Sequence, residues 1–262
     1  MTAVLLLFAF LFGIVFGSFL NVCIYRIPRD LSVVTPRSFC PECGRQLSWR
    51  ENIPILSYLT LRGRCSSCRQ SIGLRYPLVE IATGVVFVAI VNRYGFGLAA
   101  VKWAAFEMLI IVMFWTDLEE RILPNELTIG GTLLGLIAAV LVILPGGLSV
   151  LILPESSWRW QSLLNAVLGS VVLSVPVWAF GSFYSRIRKR EALGFGDVKL
   201  LMMLGAFLGL EKGVAALMMG TIAGALAGIG MLVWKKKAAL SYQLPFGSFL
   251  CFAAAMLPLF SQ

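Results

Sequence analysis

Four cysteines of this chain stand in two identical short spacings. Two residues separate Cys40 from Cys43 and Cys65 from Cys68, and 21 residues lie between the two pairs. Such pairs let four thiolates converge on one tetrahedral zinc ion, although the gap exceeds the usual length of about 15–20 residues. Two disulfides or four idle thiols are the alternatives. Since the cytosol keeps thiols reduced, a zinc site is the favoured interpretation.

Two acidic residues lie at the ends of apolar segments. Asp117 closes one segment, and Asp197 opens another in Gly194-Phe-Gly196-Asp197. A charge at the centre of a membrane helix costs about 2.5–3.5 kcal/mol by insertion scales, so acids in such segments are usually functional. Like charges a few ångströms apart cannot both ionise. A facing pair therefore has one acid to take a proton from water and one to polarise a scissile carbonyl, as in aspartic proteases.

The alternative interpretation is that both aspartates are ordinary helix-end residues. The helix dipole would favour Asp197 near an N-terminus but not Asp117 near a C-terminus. Gly194 and Gly196 allow a substrate strand to approach the backbone, because they carry no Cβ atom.

Two further acidic positions have simpler interpretations. The run from Glu119 to Arg121 is interpreted as a solvated turn. Glu107, within an apolar segment, is expected to pair with Lys102 or with an internal partner.

The composition indicates a polytopic membrane protein. Of the 262 residues, 59% are hydrophobic and 13% are charged, about half the charge of a typical soluble domain. The net charge of +9 in such a chain reports topology rather than a nucleic-acid partner. Histidine is absent, which excludes histidine-based catalysis and histidine metal ligands.

Eight apolar segments are candidate membrane helices, so the predicted fold is an all-α polytopic membrane protein of about eight spans. With the N-terminus outside, 18 of the 22 lysines and arginines fall on the cytoplasmic side, as the positive-inside rule requires. The second candidate is marginal and the sixth is short. The candidates are 3–25, 77–91, 98–115, 127–144, 163–184, 198–210, 214–234 and 244–260.

The polar segment 26–76 divides the chain into three predicted parts. Residues 1–25 form the first membrane helix, 26–76 a cytoplasmic four-cysteine domain, and 77–262 a membrane domain that contains both aspartates. About 50 residues build too small a core to fold unaided. A structural zinc, which contributes about 10–16 kcal/mol in small zinc domains, would supply what is missing.

Several motifs together resemble the type IV prepilin peptidases, the bifunctional bacterial leader peptidases and N-methyltransferases. The resemblance covers nearly the whole chain, with the cysteine insert in place. The motifs are Gly17-Ser-Phe-Leu-Asn-Val, Asn52-Ile-Pro-Ile-Leu-Ser-Tyr58, Leu61-Arg-Gly-Arg-Cys65, Arg75-Tyr-Pro-Leu-Val-Glu80, Gly194-Phe-Gly-Asp-Val-Lys-Leu200 and Pro245-Phe-Gly247. Where relatives often have Pro after the last motif, this chain has Ser248.

The resemblance implies an enzyme of the inner membrane with two activities. It would cleave the basic leader of prepilins and of type II secretion pseudopilins after a glycine, on the cytoplasmic face. It would then methylate the new N-terminal residue with S-adenosylmethionine. The family's catalytic aspartates fall on Asp117, six residues before Pro124, and on Asp197. The four cysteines would hold a structural zinc.

The remaining site residues are expectations that follow from position and charge. Substrate binding is expected from Gly194, Gly196, Lys199, Glu119 and Glu120. The two glutamates, with Glu191, would attract the positive leader. No Gly-x-Gly-x-x-Gly loop follows a strand, so no Rossmann-type nucleotide site is visible. The S-adenosylmethionine site is expected in the insert and the adjoining helix ends, from Glu51, Asn52, Gly63, Arg64, Arg75, Tyr76 and Glu80.

Three other functions remain open at this stage. A transporter would use the aspartates to carry ions or protons, although no repeated halves are evident. A membrane-anchored zinc module would only recruit partners and would leave Asp117 and Asp197 without a purpose. A peptidase that has lost methylation would have less need of the intact cysteine quartet.

Overall fold

A computed structural model describes residues 2–144, 146–188, 194–235 and 244–260. Within these ranges the chain forms α-helices, and a long segment with little helix separates the first from the third. Two isolated β-bridges are the only β-type pairing among the described residues. The helices are α1 (Ala3–Arg26), α2 (Leu56–Thr60), α3 (Arg75–Tyr94), α4 (Leu98–Glu120), α5 (Asn125–Leu141), α6 (Gly147–Ile152), α7 (Trp158–Arg188), α8 (Phe195–Lys235) and α9 (Phe246–Phe260).

The predicted all-α membrane architecture is confirmed. Among the described residues, five helices are long and apolar enough to cross a bilayer, namely α1, α3, α4, α7 and α8, and α5 and α9 are shorter apolar helices. The eight predicted segments fall on these seven helices, because the sixth and seventh both lie on α8. The short helix α6 was not predicted.

The chain divides into two compact units, Met1–Ala100 and Val101–Gln262. In the first unit, α1 packs along α3 at very short range. A Cβ atom on Gly13 would lie 2.8 Å from the Cα of Gly84, and one on Gly17 would lie 2.7 Å from the Cα of Glu80. Small residues four apart let membrane helices approach this closely. Helix α3 thus belongs with α1, whereas the sequence placed the start of the membrane domain at residue 77.

The segment 27–74 between α1 and α3, here called the cysteine insert, contains two knuckles with the same backbone pattern. In the first, Cys40 N–H donates to Arg45 O over 2.9 Å and Cys40 O accepts from Gly44 N–H. In the second, Cys65 N–H donates to Gln70 O, and Cys65 O accepts from Arg69 N–H. The fourth residue after each leading cysteine, Gly44 or Arg69, has a positive φ. Each turn therefore brings its own two thiols together.

Helix α8 occupies the centre of the second unit, where it packs against α5, α7 and α9. Close contacts of small residues join α7 to α8: a Cβ atom on Gly205 would lie 2.2 Å from the carbonyl carbon of Gly169. Several α8 side chains between residues 200 and 208 are fully buried, among them Leu204 and Phe207. The half of α8 that begins beside Asp197 is therefore the core of this unit.

Gly209 breaks α8 into two helices, with φ 75° and ψ −175°. Asn165 of α7 compensates for the break, because its Oδ1 accepts the N–H of Leu210 over 3.0 Å. The first half of α8 has about 14 residues and is therefore about 21 Å long, shorter than the bilayer core of about 30 Å.

Replacing Gly209 with alanine should destabilise the second unit. The φ/ψ pair is accessible essentially only to glycine and costs about 1–3 kcal/mol for other residues. The new Cβ would also lie 2.4 Å from Asn165 Nδ2. We expect a lower unfolding temperature in detergent. Gly230, on the same helix with open space around it, is the matched control, and Gly230→Ala should leave the unfolding temperature unchanged or higher. Equal unfolding temperatures for Gly209→Ala and wild type would contradict this account.

Candidate active site and metal centre

Asp117 lies three residues before the end of α4, and its side chain contacts the first turn of α9. Its Oδ2 accepts the backbone N–H of Ser248 over 2.6 Å and the Ser248 hydroxyl over 2.8 Å. Asp117 is 6% exposed. The C-terminal end of α4 disfavours a carboxylate, but the free N–H groups and the dipole of α9 favour one. Asp117 of α4 is therefore stabilised by the N-terminus of a different helix, α9.

Asp197 lies in the first turn of α8, and its N–H donates to Gly194 O over 3.1 Å. Its carboxyl group is close enough to Asp117 for the two to interact electrostatically. The two sequence-predicted acids, 80 positions apart in the chain, thus lie in the same region of the second unit, as an acid pair requires.

Leu123 lies between the first turn of α8, which contains Asp197, and the first turn of α9, which contacts Asp117. A Cβ atom added to Gly196 would lie 3.2 Å from Leu123 Cβ, and one added to Gly247 would lie 3.0 Å from Leu123 Cδ1. The same atom on Gly247 would lie 3.1 Å from Asp117 Oδ2. The two glycines therefore let the first turns of α8 and α9 close around Leu123 and the acid pair. The apolar segment 244–260 predicted α9, but only the Pro245-Phe-Gly247 motif drew attention to its first turn, and neither Ser248 nor Leu123 was predicted as a site residue.

The other predicted substrate residues occupy the rim of this site. Gly194 and Glu119 are exposed, and Glu120 is half-buried. Lys199 Nζ donates to Asn125 Oδ1 over 2.6 Å and lies 4.5 Å from the centre of the Phe195 ring, so it links α8 to the start of α5. Glu191 lies outside the described residues.

The expected pairing of Glu107 with Lys102 is wrong. Both side chains are buried in α4, and within the described part of the chain neither has a hydrogen-bond partner. Two side chains five residues apart on an α-helix are separated by about 140° around the helix axis, so Glu107 and Lys102 point to different faces.

The four predicted metal ligands form one cluster. The sulfur atoms of Cys40, Cys43, Cys65 and Cys68 all lie within 4.8 Å of one another, and the Cys40 and Cys68 sulfurs are 3.9 Å apart. None is in a disulfide. Zinc–sulfur bonds of about 2.3 Å place tetrahedral ligands about 3.8 Å apart, so the cluster fits one zinc ion.

Hydrogen bonds within the knuckles favour a thiolate at Cys65. The backbone N–H groups of Cys68 and Ser67 lower the pKa of the Cys65 thiol to about 6. The thiolate is the form that binds metal, so Cys65 itself is prepared for a cation.

Glu51 joins the two knuckles across the cluster. Its carboxylate accepts hydrogen bonds from Arg45 of the first knuckle and from Ser66 of the second. It also accepts the N–H of Ser48 over 2.8 Å. These donors, Ser66 first and then Ser48, hold the pKa of Glu51 at about 2. Glu51 thus has a structural role around the cysteines, whatever else it contacts.

A cavity of about 250 Å³ lies within the first unit, between the cysteine insert and the adjoining turns of α1 and α3. Aromatic rings from all three elements line it, together with Asn21, Glu51, Asn52 and Glu80. Its volume is near the lower end of the range for small-molecule pockets, about 300–1,000 Å³. The rings of Tyr25, Phe39, Tyr58 and Tyr76 are among the lining groups.

The predicted cofactor residues divide into two groups around this cavity. Glu51, Asn52, Tyr76 and Glu80 line it, whereas Gly63, Arg64 and Arg75 do not. Gly63 is instead required by the fold, because its φ is 66° and a Cβ atom would lie 2.9 Å from Tyr58 Oη. Arg64 is exposed, and Arg75 lies over the Tyr76 ring with 4.8 Å between Cζ and the ring centre.

Comparison with known proteins gives the family of the chain. Residues 11–94 match the model of the bacterial peptidase A24 N-terminal domain, and residues 103–229 match that of the type IV leader peptidase family. A prepilin leader peptidase/N-methyltransferase of Burkholderia pseudomallei (strain 1026b) is 32% identical over 97% of this chain and 85% of its own length. The chain belongs to the type IV leader peptidase family.

Two other relatives carry the same name. The protein of Myxococcus xanthus (strain DK1622) is 39% identical over 86% of this chain, which spans 63% of that protein. The protein of Aeromonas hydrophila is 31% identical over 93% of this chain and 87% of its own length. No solved structure matches the chain significantly. As a member of a peptidase family the chain is an enzyme, which sets aside the transporter and the recruiting module.

The cysteine cluster should contain one zinc ion per chain. We expect elemental analysis of the purified membrane protein to find one equivalent of zinc. Thiol modification in the presence of a zinc dye should release that equivalent. Cys65→Ser should lower the zinc content and the unfolding temperature, because one of four ligands is lost. Cys23→Ala, which changes a buried cysteine of α1 outside the cluster, should keep the zinc. Wild-type protein that is folded and contains no zinc would contradict the assignment.

Proposed function

We propose that this chain cleaves the basic leader of prepilins or pseudopilins with Asp117 and Asp197, and that it then methylates the new N-terminus. The observation that carries the peptidase half is the convergence of the first turn of α8, which contains Asp197, and the first turn of α9, which binds Asp117, on Leu123. Family membership supports the reaction class, and the names of the relatives supply both activities and the class of substrate.

The acid pair would activate a water molecule for attack on the peptide carbonyl. Two adjacent carboxyl groups share one proton, so one acid accepts a proton from water while the other donates a hydrogen bond to the carbonyl oxygen. Ser248 supports the ionised form of Asp117, since it donates two hydrogen bonds to Oδ2. We assign the water-activating role to Asp117 and the polarising role to Asp197.

The charge distribution supports a cytoplasmic site in the bacterial inner membrane. Lysines and arginines concentrate in the cysteine insert and in the segment 185–199 that contains Asp197, which the positive-inside rule places in the cytoplasm. A substrate whose apolar helix lies in the membrane and whose basic leader lies in the cytosol would present its cleavage point at this depth. Glu119 and Glu120 would attract the leader, and Gly194 and Gly196 would let it approach.

Changing either acid should stop leader cleavage. With purified enzyme and a prepilin in detergent or nanodiscs, we expect Asp117→Asn and Asp197→Asn each to lower kcat by at least about 10²-fold, because an amide neither accepts water's proton nor shares one. Measuring the cleaved product by gel or mass spectrometry gives the rate.

Glu126 provides the matched control for this experiment. It is an exposed carboxylate in the first turn of α5, in the segment that follows Asp117. Glu126→Gln should cleave at nearly the wild-type rate. If either asparagine variant retains wild-type cleavage while remaining folded, the assigned acid pair is incorrect.

We propose that the cavity of the first unit binds S-adenosylmethionine, the methyl donor of the second activity. Aromatic rings can stack on the adenine and contact the sulfonium, which carries a positive charge. Three acidic residues line the cavity, namely Glu42, Glu51 and Glu80, against one basic residue, Arg26, in a chain whose net charge is +9. The cavity is therefore suited to a cation.

Filling the cavity should prevent donor binding. Leu47 lines the cavity, and we expect Leu47→Trp to weaken binding of S-adenosylhomocysteine at least tenfold by isothermal titration, because the larger ring occupies ligand space. Leu59→Trp makes a comparable change at an exposed position of the same insert outside the lining, and should bind normally. Leader cleavage, which uses the second unit, should persist in both variants. Normal binding by Leu47→Trp would place the donor elsewhere.

A further inference from the structure

We infer that Asn21 and Glu80 bind the substrate α-amino group that receives the methyl group, and that Glu80 removes a proton from this amino group. The inference rests on the proposed methyl transfer and assigns two residues of the cavity wall to the amine rather than to the donor. Both residues line the cavity, and they lie on the facing helices α1 and α3.

Asn21 presents a buried acceptor that the described protein leaves unpaired. The side chain is 3% exposed, and its Nδ2 donates to Tyr76 O over 3.0 Å and to Gly17 O over 3.3 Å. These two bonds fix the orientation of the amide. Its Oδ1 is buried and has no hydrogen-bond partner among the described residues. A buried polar atom without a partner costs about 1–3 kcal/mol, so a ligand that donates a hydrogen bond here would recover that cost.

Glu80 supplies a carboxylate to the wall of the same cavity. The side chain is 7% exposed, and its Oε2 accepts the N–H of Ile55 over 2.7 Å. Ser18 also hydrogen-bonds to it. Both described partners are neutral, whereas a carboxylate has acceptor sites for about four hydrogen bonds. Glu80 therefore retains capacity for a cationic donor.

The other charged groups of the wall are already engaged or lie at the surface. The buried guanidinium of Arg26 donates to Ser32 O over 2.8 Å and to Arg37 O over 3.3 Å. Glu51 is held by the knuckles as described, and Glu42 is exposed. The uncharged titratable groups are the phenols of Tyr25, Tyr58 and Tyr76 and the clustered thiols of Cys40 and Cys65. Glu80 is thus the buried acid in the wall best placed for a positively charged group.

The backbone next to Glu80 has an unusual conformation. Ile55 has φ 60° and ψ −50°, and Leu56 N–H donates to Pro54 O across it, which makes a strained γ-turn. A β-branched residue at positive φ costs about 1–3 kcal/mol and marks functional sites. The N–H of Ile55 is directed at Glu80 by this turn, and it holds the carboxylate in the cavity wall.

The depth of the two residues suits the amino terminus of a membrane helix. Glu80 is five residues from the start of α3 and Asn21 is five residues from the end of α1, so each lies about 7.5 Å from the helix end that joins the insert. A pilin from which the leader has been removed begins with its apolar helix, so its α-amino group lies where the helix leaves the membrane. The ammonium has three N–H donors for Asn21 Oδ1 and the Glu80 carboxylate.

The methyl transfer needs no enzyme group other than these two residues, and its atoms and charges balance. Glu80 accepts one proton from the ammonium, and the nitrogen lone pair forms the new N–C bond. The C–S bond of the sulfonium breaks and its electron pair stays on sulfur, which leaves a neutral thioether. The product is a methylated ammonium, and the proton on Glu80 returns to solvent.

The test compares wild type with Glu80→Gln, which keeps an oxygen for the Ile55 N–H and thus preserves the turn. A peptide with the mature pilin N-terminus is the substrate. At pH 7 we expect the methylation rate of Glu80→Gln to fall at least about tenfold. An α-amino group has a pKa of about 8 in solution, so raising the pH to 9 should recover most of that loss. Wild type should change far less over the same range.

Two binding measurements separate the amine from the donor. S-adenosylhomocysteine should bind Glu80→Gln with the wild-type affinity, whereas the peptide should bind it several-fold more weakly. Thr83→Val is the matched control: Thr83 is buried on α3 one turn from Glu80, does not line the cavity, and donates to Val79 O. This variant should methylate normally.

Three outcomes would overturn the inference. They are wild-type methylation by Glu80→Gln at pH 7, a loss that pH 9 does not recover, and a parallel loss of donor binding, which would make Glu80 a donor ligand. If wild type neither binds S-adenosylhomocysteine nor methylates the peptide, the proposed methyl transfer itself is wrong, and this inference with it.

Discussion

The hydrogen bonds from Ser248 to Asp117 join α4 to α9 at the end of the second unit where both acids lie. A carboxylate at the C-terminal end of α4 is unfavourable both for the helix dipole and for burial. Docking α9 by its first turn removes both difficulties, because two donors reach one oxygen of Asp117. The first turn of α9 must approach very closely for this, which is why residue 247 has no side chain.

Asp197 has the complementary arrangement, since it lies at the N-terminus of its own helix. The first half of α8 is fully buried along much of its length and packs against α5, α7 and α9. The break at Gly209 ends this half after about four turns, and Asn165 satisfies the N–H group that the break frees. A rigid, short and buried helix therefore holds Asp197 in place, while Lys199 links its first turns to the start of α5.

Much of the fold and the types of site were predictable from local pattern, but the partners were not. Apolar runs predict helices, paired cysteines predict a cluster, and acids in apolar segments predict a site, because each is a property of a few neighbouring residues. Ser248 bonds to a residue 131 positions away, and Asn21 bonds to one 55 positions away. Neither contact has a sequence signature. The break in α8 was indicated by the two predicted segments, although Gly209 was not distinguished from other glycines by sequence.

The first unit shows why the cysteines and the cavity belong to one structure. The insert has little helix and few buried apolar side chains. The cavity walls that it forms therefore depend on the knuckles and on contacts with α1 and α3. Glu51 bridges the knuckles, and Glu80 anchors the strained turn at Ile55 from the membrane helix. The cavity lies between these two acids. Disrupting the cysteine cluster would therefore change the shape of the cavity while leaving the helix packing of α1 on α3, which rests on glycine contacts, intact. The cysteine cluster and the cavity are thus coupled within this unit, whereas the two acids lie on α4 and α8 and the partner of Asp117 lies on α9.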